Sequence, residues 1–310
     1  MKIVTITLNS TIDLNTSVNH VIAENKLRCR VPNYDAGGGG LNVSRAIKKL
    51  GGNSLAIYLA GGANGKVLNQ LLDKEEINQV VIQIKGMTRE NITVSEEISN
   101  QQYRFVMPGP ELNKDEWEKC FEILNNLNEK LDYIVASGSL PKGVPEDFYA
   151  RVAKIGTAKN IRVIVDTSGK ALYKAVEEGV FLIKPNMREI NDIAEKPIHN
   201  EKDLIEFSRH LLKNKKAENV VISLGAGGAL LISNEKVLQV KSPTVPIRSK
   251  VGAGDSMTAG IVLSLERGKS VYEAVKFGVA AGAAAVMSSG TELCGREDTE
   301  RLYLNMNSLN

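Results

Sequence analysis

Short runs of apolar, often β-branched residues alternate with amphipathic stretches along most of this chain of 310 residues. The runs predict strands at residues 55–60, 133–137, 161–166, 181–184 and 220–224. The stretches between them predict helices at residues 116–130, 145–159 and 204–213. Alternating strands and helices favour an α/β fold, with a mostly parallel sheet that is covered by helices on both faces.

Two segments interrupt this alternation. Residues 14–31 and 86–107 alternate polar and apolar side chains without a helical period. We therefore predict that both form antiparallel strands that project from the α/β core. A small appendage made only of strands suggests a lid over an active site. Because no linker divides the chain, we expect residues 1–310 to form a single domain that carries both lid segments.

Composition limits the partners and the compartment. Lys and Arg total 39 and Asp and Glu total 36, so the net charge of +3 is too balanced to indicate nucleic acid as a partner. The three cysteines, Cys29, Cys120 and Cys294, are far apart, which is typical of free thiols in a reducing compartment. No signal-peptide pattern and no membrane-spanning apolar run occur, so we expect a cytoplasmic protein with no membrane partner.

The types and spacing of the residues argue against three familiar kinds of site. The three histidines have no metal-ligand spacing, which argues against a zinc site and against a Ser-His-Asp hydrolase. Any metal is therefore expected to be a hard cation held by oxygens and phosphates. A P-loop at Gly65-Lys66 is rejected, because Ala60 stands at the first glycine position and Val67 replaces the Ser or Thr.

A turn of small residues, Gly252-Ala253-Gly254, comes directly before Asp255 and an apolar helical run. Small residues leave backbone N–H groups free to face an anion, with the positive end of the helix dipole behind them. A carboxylate would repel an anion that was merely bound. It is suited instead to taking a proton while the amides hold the developing negative charge, as in phosphoryl transfer to a hydroxyl. The alternative is that Asp255 caps the helix.

Four consecutive glycines at residues 37–40 come just before a helix predicted over residues 42–50. Glycines cost backbone entropy, so four together indicate a close approach of the backbone to a ligand. They do not form the dinucleotide-binding G-x-G-x-x-G pattern, because Val43 stands at its last position. The alternative is a flexible turn.

Asn186 and Glu189 follow the strand predicted at residues 181–184 and open a helix. At a spacing of i, i+3 their side chains can orient waters on a Mg²⁺ ion that bridges phosphates. A capping box with Asn186 as N-cap explains the spacing equally well, and the two interpretations are compatible. The glycine-rich turn from Ser223 to Gly228 suits a nucleotide lying against it, and a plain hairpin explains it nearly as well.

Charged residues mark the edges of the two lid segments: Asp13, Lys26, Arg89 and Arg104. Each one alone is most simply a solvent-exposed charge. Together they can supply a carboxylate for sugar hydroxyls and cations for a phosphate group.

Taken together, these elements resemble the PfkB (ribokinase-like) family of sugar kinases over essentially the whole chain. The two family signatures correspond to residues 37–43 and to residues 249–257 with their Gly-Ala-Gly-Asp core. Within the family the chain is most similar to the branch of minor, PfkB-type ATP-dependent 6-phosphofructokinases. That similarity lies in the four-glycine form and in residues 26–29, 102–109, 137–141 and 290–294. The branches of 1-phosphofructokinases and tagatose-6-phosphate kinases usually carry Lys in place of Gly39.

The resemblance implies a three-layer core with a β-strand lid, which often forms the contact of a homodimer. It implies that Asp255 takes the proton of a sugar C1 hydroxyl, beside an anion hole formed by Gly252, Ala253 and Gly254. Residues implied to hold sugar hydroxyls are Asp13, Gly38, Gly39 and Asn42. Residues implied to lie near the substrate phosphate are Lys26, Arg89, Arg104 and Ser139. Residues implied to bind ATP are Lys184, Ser223, Gly225, Gly228, Gly252 and Gly254, with Asn186 and Glu189 holding Mg²⁺ through water.

The chain departs from the family pattern at several positions. Lys250 replaces the usual Thr or Ser before the Gly-Ala-Gly-Asp turn, where it either assists the phosphates or points to solvent. Residues 9–11 are Asn-Ser-Thr instead of the more usual Asn-Pro-Ser/Ala. Ser288 and Glu292 replace the Asn and Arg typical of the phosphofructokinase branch. Because some relatives bind potassium through backbone carbonyls in this region, these changes argue against a K⁺ site.

The resemblance implies an enzyme that uses ATP to phosphorylate the C1 hydroxyl of fructose 6-phosphate, giving fructose 1,6-bisphosphate in glycolysis. Its partners would be a sugar phosphate and ATP. Tagatose-6-phosphate kinase and 1-phosphofructokinase activities stay open, and no motif here reads the hydroxyl configuration that distinguishes tagatose. A sugar-phosphate sensor without turnover is a different class, against which the intact Asp255, Asn186 and Glu189 argue. A nucleoside kinase is a further alternative, but its substrate would offer no anion for the cationic lid residues Lys26, Arg89 and Arg104 to bind.

Overall fold

The computed structural model describes residues 2–99, 101–127, 130–194, 196–288 and 290–308. Asn100, inside the second predicted lid segment, lies outside the described residues. In chain order the elements are β1 (Ile3–Thr7), β2 (Thr11–Val18), β3 (Asn33–Gly37), α1 (Gly39–Lys49), β4 (Leu55–Ala60), α2 (Gly62–Lys74), β5 (Asn78–Gln83), β6 (Arg89–Glu96), β7 (Gln102–Phe105), α3 (Lys114–Asn126), β8 (Tyr133–Ser137), α4 (Phe148–Ala158), β9 (Arg162–Asp166), α5 (Gly169–Glu178), β10 (Val180–Ile183), α6 (Met187–Ile193), α7 (Glu201–Lys213), β11 (Ala217–Ser223), β12 (Ala229–Ser233), β13 (Val237–Val240), α8 (Ala253–Glu266), α9 (Val271–Val286) and α10 (Arg296–Ser308).

The larger of two sheets has nine strands, in the order β13-β12-β11-β10-β9-β8-β1-β4-β5. The strands from β11 to β5 run parallel, and β12 and β13 are added antiparallel at one edge. Strands β1, β8 and β10 are buried along their whole length, as expected for strands that are covered on both faces. The prediction of a mostly parallel sheet is confirmed. The carboxyl ends of β1, β8, β9 and β10 lie side by side at one edge.

Side chains of β8 alternate between two hydrophobic cores. Ile134 and Ala136 belong to a core built with α3, α4, α5 and α7, whereas Tyr133 and Val135 belong to a core built with α1, α8, α9 and α10. The helices therefore cover both faces of the sheet, and the predicted three-layer α/β fold is confirmed. Within the described residues, no helix combines the length and the hydropathy that crossing a membrane requires.

Helices α8 and α9 pack closely through small residues. A Cβ atom on Gly278 of α9 would lie 2.5 Å from Ile261 Cγ1 and 2.7 Å from the backbone oxygen of Met257, both in α8. A Cβ on Gly260 of α8 would lie 2.9 Å from the Cα of Gly278. The small-residue stretch in α9 therefore serves close helix packing, and it fixes the position of α8, which begins at the Gly-Ala-Gly-Asp turn.

The second sheet has four strands in the order β3-β2-β6-β7. The pairs β2–β3 and β6–β7 are antiparallel, but β2 and β6 pair in parallel. The prediction that the lid segments form only antiparallel strands was therefore wrong for the central pair. The reason is topological, because β2 follows β1 and β6 follows β5, so both leave the carboxyl edge of the large sheet in one direction.

Several predicted boundaries also shift. Residues 19–32, most of the first predicted lid segment, form no regular strand, and β3 follows them. Helix α1 begins inside the glycine run, three residues earlier than predicted, because Gly39 and Gly40 occupy its first turn. The strands predicted at residues 55–60 and 133–137 match β4 and β8 to the residue.

Candidate active site

The Gly-Ala-Gly-Asp turn forms the amino end of α8. Gly252 is the N-cap and has a φ of 76°, in the left-handed region that favours glycine. A Cβ on Gly252 would also lie 2.6 Å from Leu293 Cδ2. Within the described part of the chain no side chain caps this helix. The N–H groups of its first turn are therefore available to an anion, with the positive end of the helix dipole behind them.

Asp255 lies in the first turn of α8, three residues after the N-cap. Its carboxylate accepts a hydrogen bond of 2.8 Å from the side-chain nitrogen of Asn42 in α1. Because the N-cap is Gly252 and the Asp255 side chain does not cap the helix, the alternative interpretation of this residue as a helix cap was wrong. The carboxylate belongs to the site between α1 and α8.

Desolvation by burial raises the pKa of the Asp255 carboxyl to about 7. The negative charge of Asp166 acts in the same direction, and that of Asp13 adds a smaller effect. The hydrogen bond from Asn42 and the charge of Lys184 oppose the rise by favouring the ionised form. A carboxyl with a pKa near neutrality is suited to accept a proton and to release it again.

A buried ion pair lies beside the turn. Lys184 follows β10 and Asp166 ends β9, and Lys184 Nζ is 3.2 Å from Asp166 Oδ1. Burial lowers the pKa of Lys184, but the charge and hydrogen bond of Asp166 outweigh it, so the pKa is raised and the ammonium stays charged. A Cβ on Gly254 would lie 3.6 Å from this ammonium, which therefore sits next to the amides of the turn.

Two residues at this ion pair, Asp166 and Thr258, were not predicted from the sequence. Asp166 also accepts a hydrogen bond of 2.8 Å from Thr258 Oγ1, one turn into α8. A usable signal existed for Asp166, because it ends a predicted strand, and ligands of α/β sheets lie beyond the carboxyl ends of the strands. Thr258 carries no such signal, since it reads as an ordinary interior residue of the helix.

The four glycines are explained largely by packing. A Cβ on Gly39 would lie 2.5 Å from Ser137 Oγ and 2.7 Å from the backbone nitrogen of Gly138, at the end of β8. A Cβ on Gly37 would overlap the carboxylate of Asp13. Gly38 has a φ of 112°. Because these glycines have no side chains, Asp13, the start of α1 and the end of β8 can lie close together.

Asp13 lies in a network of polar side chains at the base of the lid. Its Oδ1 accepts a hydrogen bond of 2.9 Å from Asn91 Nδ2. Arg89 donates to the backbone oxygens of Asn9 and Met107, at 3.1 Å each. Burial raises the pKa of Asp13, against the hydrogen bond from Asn91 and the charges of nearby arginines. Arg89 Nε and Asn9 Oδ1 are buried with no hydrogen-bond partner among the described residues, so each can form a hydrogen bond with a water or with a polar ligand.

The other residues assigned to the substrate phosphate are more exposed. Ser139 accepts a hydrogen bond of 3.0 Å from Asn9 Nδ2, which places it beside the Asp13 network. Arg104 is exposed on β7, yet it is near enough to lower the pKa of Asp13. Lys26 is exposed in the irregular segment between β2 and β3. The structure thus brings Arg89 and Ser139 to the Asp13 network and leaves Arg104 at its rim, whereas Lys26 has no hydrogen bond or ion pair with the network among the described residues.

Asn186 and Glu189 form the predicted capping box at the start of α6. Asn186 Oδ1 accepts from the backbone N–H groups of Arg188 and Glu189 at 2.9 and 3.0 Å, and Glu189 Oε2 accepts from the N–H of Asn186 at 2.9 Å. The second carboxylate oxygen of Glu189 takes no part in the box. Burial and the nearby charge of Asp166 raise the pKa of Glu189, against the hydrogen bonds with Asn186 and the charge of Lys184, which favour the ionised form.

The turn from Ser223 to Gly228 joins two antiparallel strands, β11 and β12, so the hairpin interpretation is confirmed. Ser223 also pairs with Asn186 in an isolated parallel bridge, which puts this turn next to α6. Gly225 and Gly228 have φ angles of 57° and 89°. A Cβ on Gly225 would meet no atom within 4 Å, so this side of the turn is open to a ligand.

A divalent cation would find only a small donor set here. Among the described residues, no three His, Cys, Asp or Glu side chains are grouped to hold a metal. Glu189 has a carboxylate oxygen outside its capping box, and Asn186 lies beside it. This set fits Mg²⁺, which keeps several waters and uses one or two carboxylates together with substrate phosphates.

Comparisons with known proteins find a matching family and several similar sequences. Residues 3–298 match the model of the pfkB family carbohydrate kinases. ATP-dependent 6-phosphofructokinase isozyme 2 of Escherichia coli (strain K12) is 41% identical over 304 residues, which are 98% of both chains. The isozyme 2 of Mycobacterium tuberculosis is 41% identical over 302 residues, covering 97% of this chain and 89% of its own. A 1-phosphofructokinase of Borreliella burgdorferi is less similar, at 33% over 302 residues, 97% of this chain and 96% of its own.

Solved structures give the same result. Phosphofructokinase-2 from Escherichia coli in complex with fructose-6-phosphate has a TM-score of 0.93 and 39% identity, and covers 99% of each chain. Its complex with potassium has a TM-score of 0.94 at 40% identity, with the same coverage. A tetrameric inhibited form of that protein has a TM-score of 0.93 at 39% identity, again over 99% of each chain.

Proposed function

Because this chain belongs to the pfkB family of carbohydrate kinases, we propose that it transfers the γ-phosphoryl group of ATP to the C1 hydroxyl of fructose 6-phosphate. The product is fructose 1,6-bisphosphate, and the reaction is a step of glycolysis. The relatives with this activity in their names are more similar to the chain than the 1-phosphofructokinase is. We also propose that residues 1–310 work as one kinase domain, in which the four-stranded sheet is the lid.

The proposal rests mainly on the position of Asp255 and on the pKa of its carboxyl group. The carboxyl has a pKa near neutrality and lies in the first turn of a helix whose leading N–H groups are available. In the proposed reaction Asp255 takes the proton of the C1 hydroxyl while the oxygen attacks the γ-phosphorus. The bond from that phosphorus to the β–γ bridging oxygen breaks. The amides of Gly252, Ala253 and Gly254 receive the charge that develops, with the ammonium of Lys184 beside them.

The polar network at the base of the lid supports a sugar-phosphate site. Asp13, Gly38, Gly39 and Asn42 are assigned to the sugar hydroxyls. Arg89, Lys26, Arg104 and Ser139 are assigned to the 6-phosphate. The buried Nε of Arg89 and the buried Oδ1 of Asn9 lack hydrogen-bond partners among the described residues, and a bound sugar phosphate would provide a polar partner for such groups.

We assign the nucleotide to the carboxyl edge of the large sheet, beside the proposed sugar-phosphate site. Ser223, Gly225 and Gly228 would flank it, and Asn186 and Glu189 would hold Mg²⁺ through water. Bound there, Mg²⁺ would neutralise part of the phosphate charge of ATP. We leave a potassium site out of the proposal, because Ser288 and Glu292 depart from the residues typical of the branch.

We assign the lid to the contact of a homodimer. Large apolar side chains are exposed on the lid strands and on the segments that connect them, among them Val31 at 90%, Ile98 at 72% and Phe105 at 52%. Exposed apolar residues at this density mark an interaction surface, since water-exposed apolar area is unfavourable. The same contact would bring a second lid close to the exposed Arg104.

The function is tested by comparing kcat/KM for fructose 6-phosphate, tagatose 6-phosphate, fructose 1-phosphate and ribose at fixed ATP and Mg²⁺. The proposal expects fructose 6-phosphate to have the highest value. A higher value for fructose 1-phosphate or tagatose 6-phosphate would contradict it. Ligand binding without ATP consumption for every sugar would instead indicate a sensor.

A further inference from the structure

Arg45 is a buried cation that lies one turn after Asn42 in α1. Its Nε and Nη2 face the carboxylate of Glu75 at 2.7 to 2.9 Å, and Nη2 also donates to Asp35 Oδ1 at 3.3 Å. Its Nη1 donates to the backbone oxygen of Ala36 at 2.5 Å and to Asn42 Oδ1 at 3.5 Å. Only 2% of the residue is exposed, so these acceptors take the place of water.

The contacts of Asn42 with Arg45 and with Asp255 favour the same orientation of the Asn42 amide. The amide has an oxygen that only accepts and a nitrogen that only donates. With the oxygen turned to the guanidinium, the nitrogen donates to Asp255 at 2.8 Å. A reversed amide would place two donors together at Arg45 and an oxygen against the carboxylate. Both contacts would then be repulsive, so Arg45 adds to the preference for the orientation in which the amide nitrogen faces Asp255.

The same guanidinium also binds the lid. Ala36 and Asp35 lie in β3, which pairs with β2 in the lid sheet. Asp35 Oδ2 accepts hydrogen bonds from Asn15 Nδ2, at 3.2 Å, and from Thr291 Oγ1. A rigid, planar fork that contacts both an α1 side chain and the β3 backbone holds the start of α1 against the base of the lid.

We propose that Arg45 is a positioning residue, which holds the side-chain amide of Asn42 toward the carboxylate of Asp255. The inference rests on the proposed function, in which Asp255 is the base. The other charged groups that face Asp255 are Asp166 of β9, Lys184 after β10 and Asp13 of β2. An Arg45→Lys substitution keeps all three groups and the positive charge at position 45, so its effect on the base comes through the Asn42 amide or through the contacts of Arg45 with β3, and a double-mutant cycle with Asn42 separates the two.

The test is the pH profile of kcat for Arg45→Lys. Lysine keeps the positive charge but cannot form the planar fork. We expect kcat at neutral pH to fall roughly 10- to 100-fold through misplacement of the base. The fall of kcat on the acidic side of the profile (the acid limb) should move to higher pH by about one unit, because Asp255 loses a hydrogen bond that favours its ionised form.

Lys48→Met is the matched control. Lys48 also lies in α1 and pairs with a neighbouring glutamate, Glu76, at 3.1 Å, but this pair is exposed and has no contact with Asn42 among the described residues. The control variant should keep the wild-type pH profile. An acid limb that moves equally in both variants would overturn the proposal.

A double-mutant cycle separates positioning from a general loss of structure. If Arg45 acts through Asn42, Arg45→Lys has little further effect on kcat in the Asn42→Ala background, whereas independent effects would multiply. Multiplied effects, or an unchanged acid limb in folded Arg45→Lys, overturn the proposal. If Arg45→Lys does not fold, Asn42→Ala alone must raise the acid limb, and an unchanged limb overturns the proposal there too.

Asp255→Asn distinguishes a failure of this inference from a failure of the proposed function. If Asp255→Asn keeps its activity, the proposed base is wrong and the inference falls with it. If Asp255→Asn is inactive while Arg45→Lys matches the wild type in rate and pH profile, only the role of Arg45 is wrong.

Discussion

Asn42 donates a hydrogen bond of 2.8 Å to the carboxylate of Asp255, joining two residues that are 213 positions apart in the chain. The bond connects α1, which begins in the glycine run, with α8, which begins at the Gly-Ala-Gly-Asp turn. The two glycine-rich segments therefore meet at one pair of side chains. Because burial disfavours the charged form of Asp255, this bond helps to keep the ionised base accessible.

The pKa of Asp255 predicts an acid limb in the activity of the enzyme. A base must be ionised to accept a proton, and the pKa of about 7 is that of the enzyme without substrate, so kcat/KM for fructose 6-phosphate should fall about tenfold per pH unit below that pKa and level off above it. The measurement is kcat/KM across this range, with circular dichroism to verify that the protein stays folded. An acid limb centred near the ordinary pKa of an aspartate would contradict the desolvated base.

Breaking the buried ion pair should reduce stability. Lys184→Met leaves the partly buried carboxylate of Asp166 with only Thr258 as a hydrogen-bond donor in the described structure. Removing one partner of a fully buried pair lowers the free energy of unfolding by about 3–5 kcal/mol, and because Asp166 is partly exposed we expect a loss at the lower end of that range. Urea denaturation checks this value, and Lys48→Met, which breaks an exposed pair, serves as the control. Similar, small losses in both variants would show that the Lys184 pair is not desolvated.

The packing of α8 against α9 should tolerate no added methyl group at Gly278. Its Cβ would lie 2.5 Å from Ile261 Cγ1 and 2.7 Å from the backbone oxygen of Met257. Gly278→Ala is therefore expected to cost about 1–3 kcal/mol of unfolding free energy and to lower kcat by moving α8. Gly295→Ala is the control, because its Cβ would have no neighbour within 4 Å. Equal melting temperatures for both variants would contradict the close packing.

The proposed lid dimer can be tested at Phe105, which is exposed on β7. A charge at an apolar contact is unfavourable, so Phe105→Asp should shift the protein toward the mass of a single chain. Light scattering after size exclusion measures that mass. Tyr173→Asp, at an exposed position on α5 away from the lid, should leave the mass unchanged. A mass unaffected by Phe105→Asp would place the contact elsewhere or exclude it.

The sequence was most informative where local pattern decides the structure. The strands β4 and β8 were predicted to the residue, because runs of apolar and β-branched side chains are typical of buried parallel strands. The capping box of Asn186 and Glu189 was likewise predicted from a spacing of three residues. The start of α8 at small residues followed from the same kind of local signal.

What could not be predicted depends on contacts between distant parts of the chain. The parallel pairing of β2 with β6 brings together strands between which β3, α1, β4, α2 and β5 lie in the chain, and no local pattern determines it. Thr258 contacts Asp166 from 92 positions away, and Asn91 contacts Asp13 from 78. Arg45 reads in the sequence as an ordinary helical arginine. Its buried position appears only once α1, β3 and Glu75 are packed together.

The central claim, that Asp255 is the base of a sugar-phosphate kinase, is tested most directly by the turnover of Asp255→Asn with ATP and fructose 6-phosphate. Asparagine keeps the shape of the side chain and removes the proton acceptor. We expect kcat to fall by about 10²- to 10⁴-fold, with only a modest change in the affinity for ATP measured by calorimetry. A variant that keeps more than about a tenth of the wild-type rate would contradict the assignment, because a positioned base contributes far more than that.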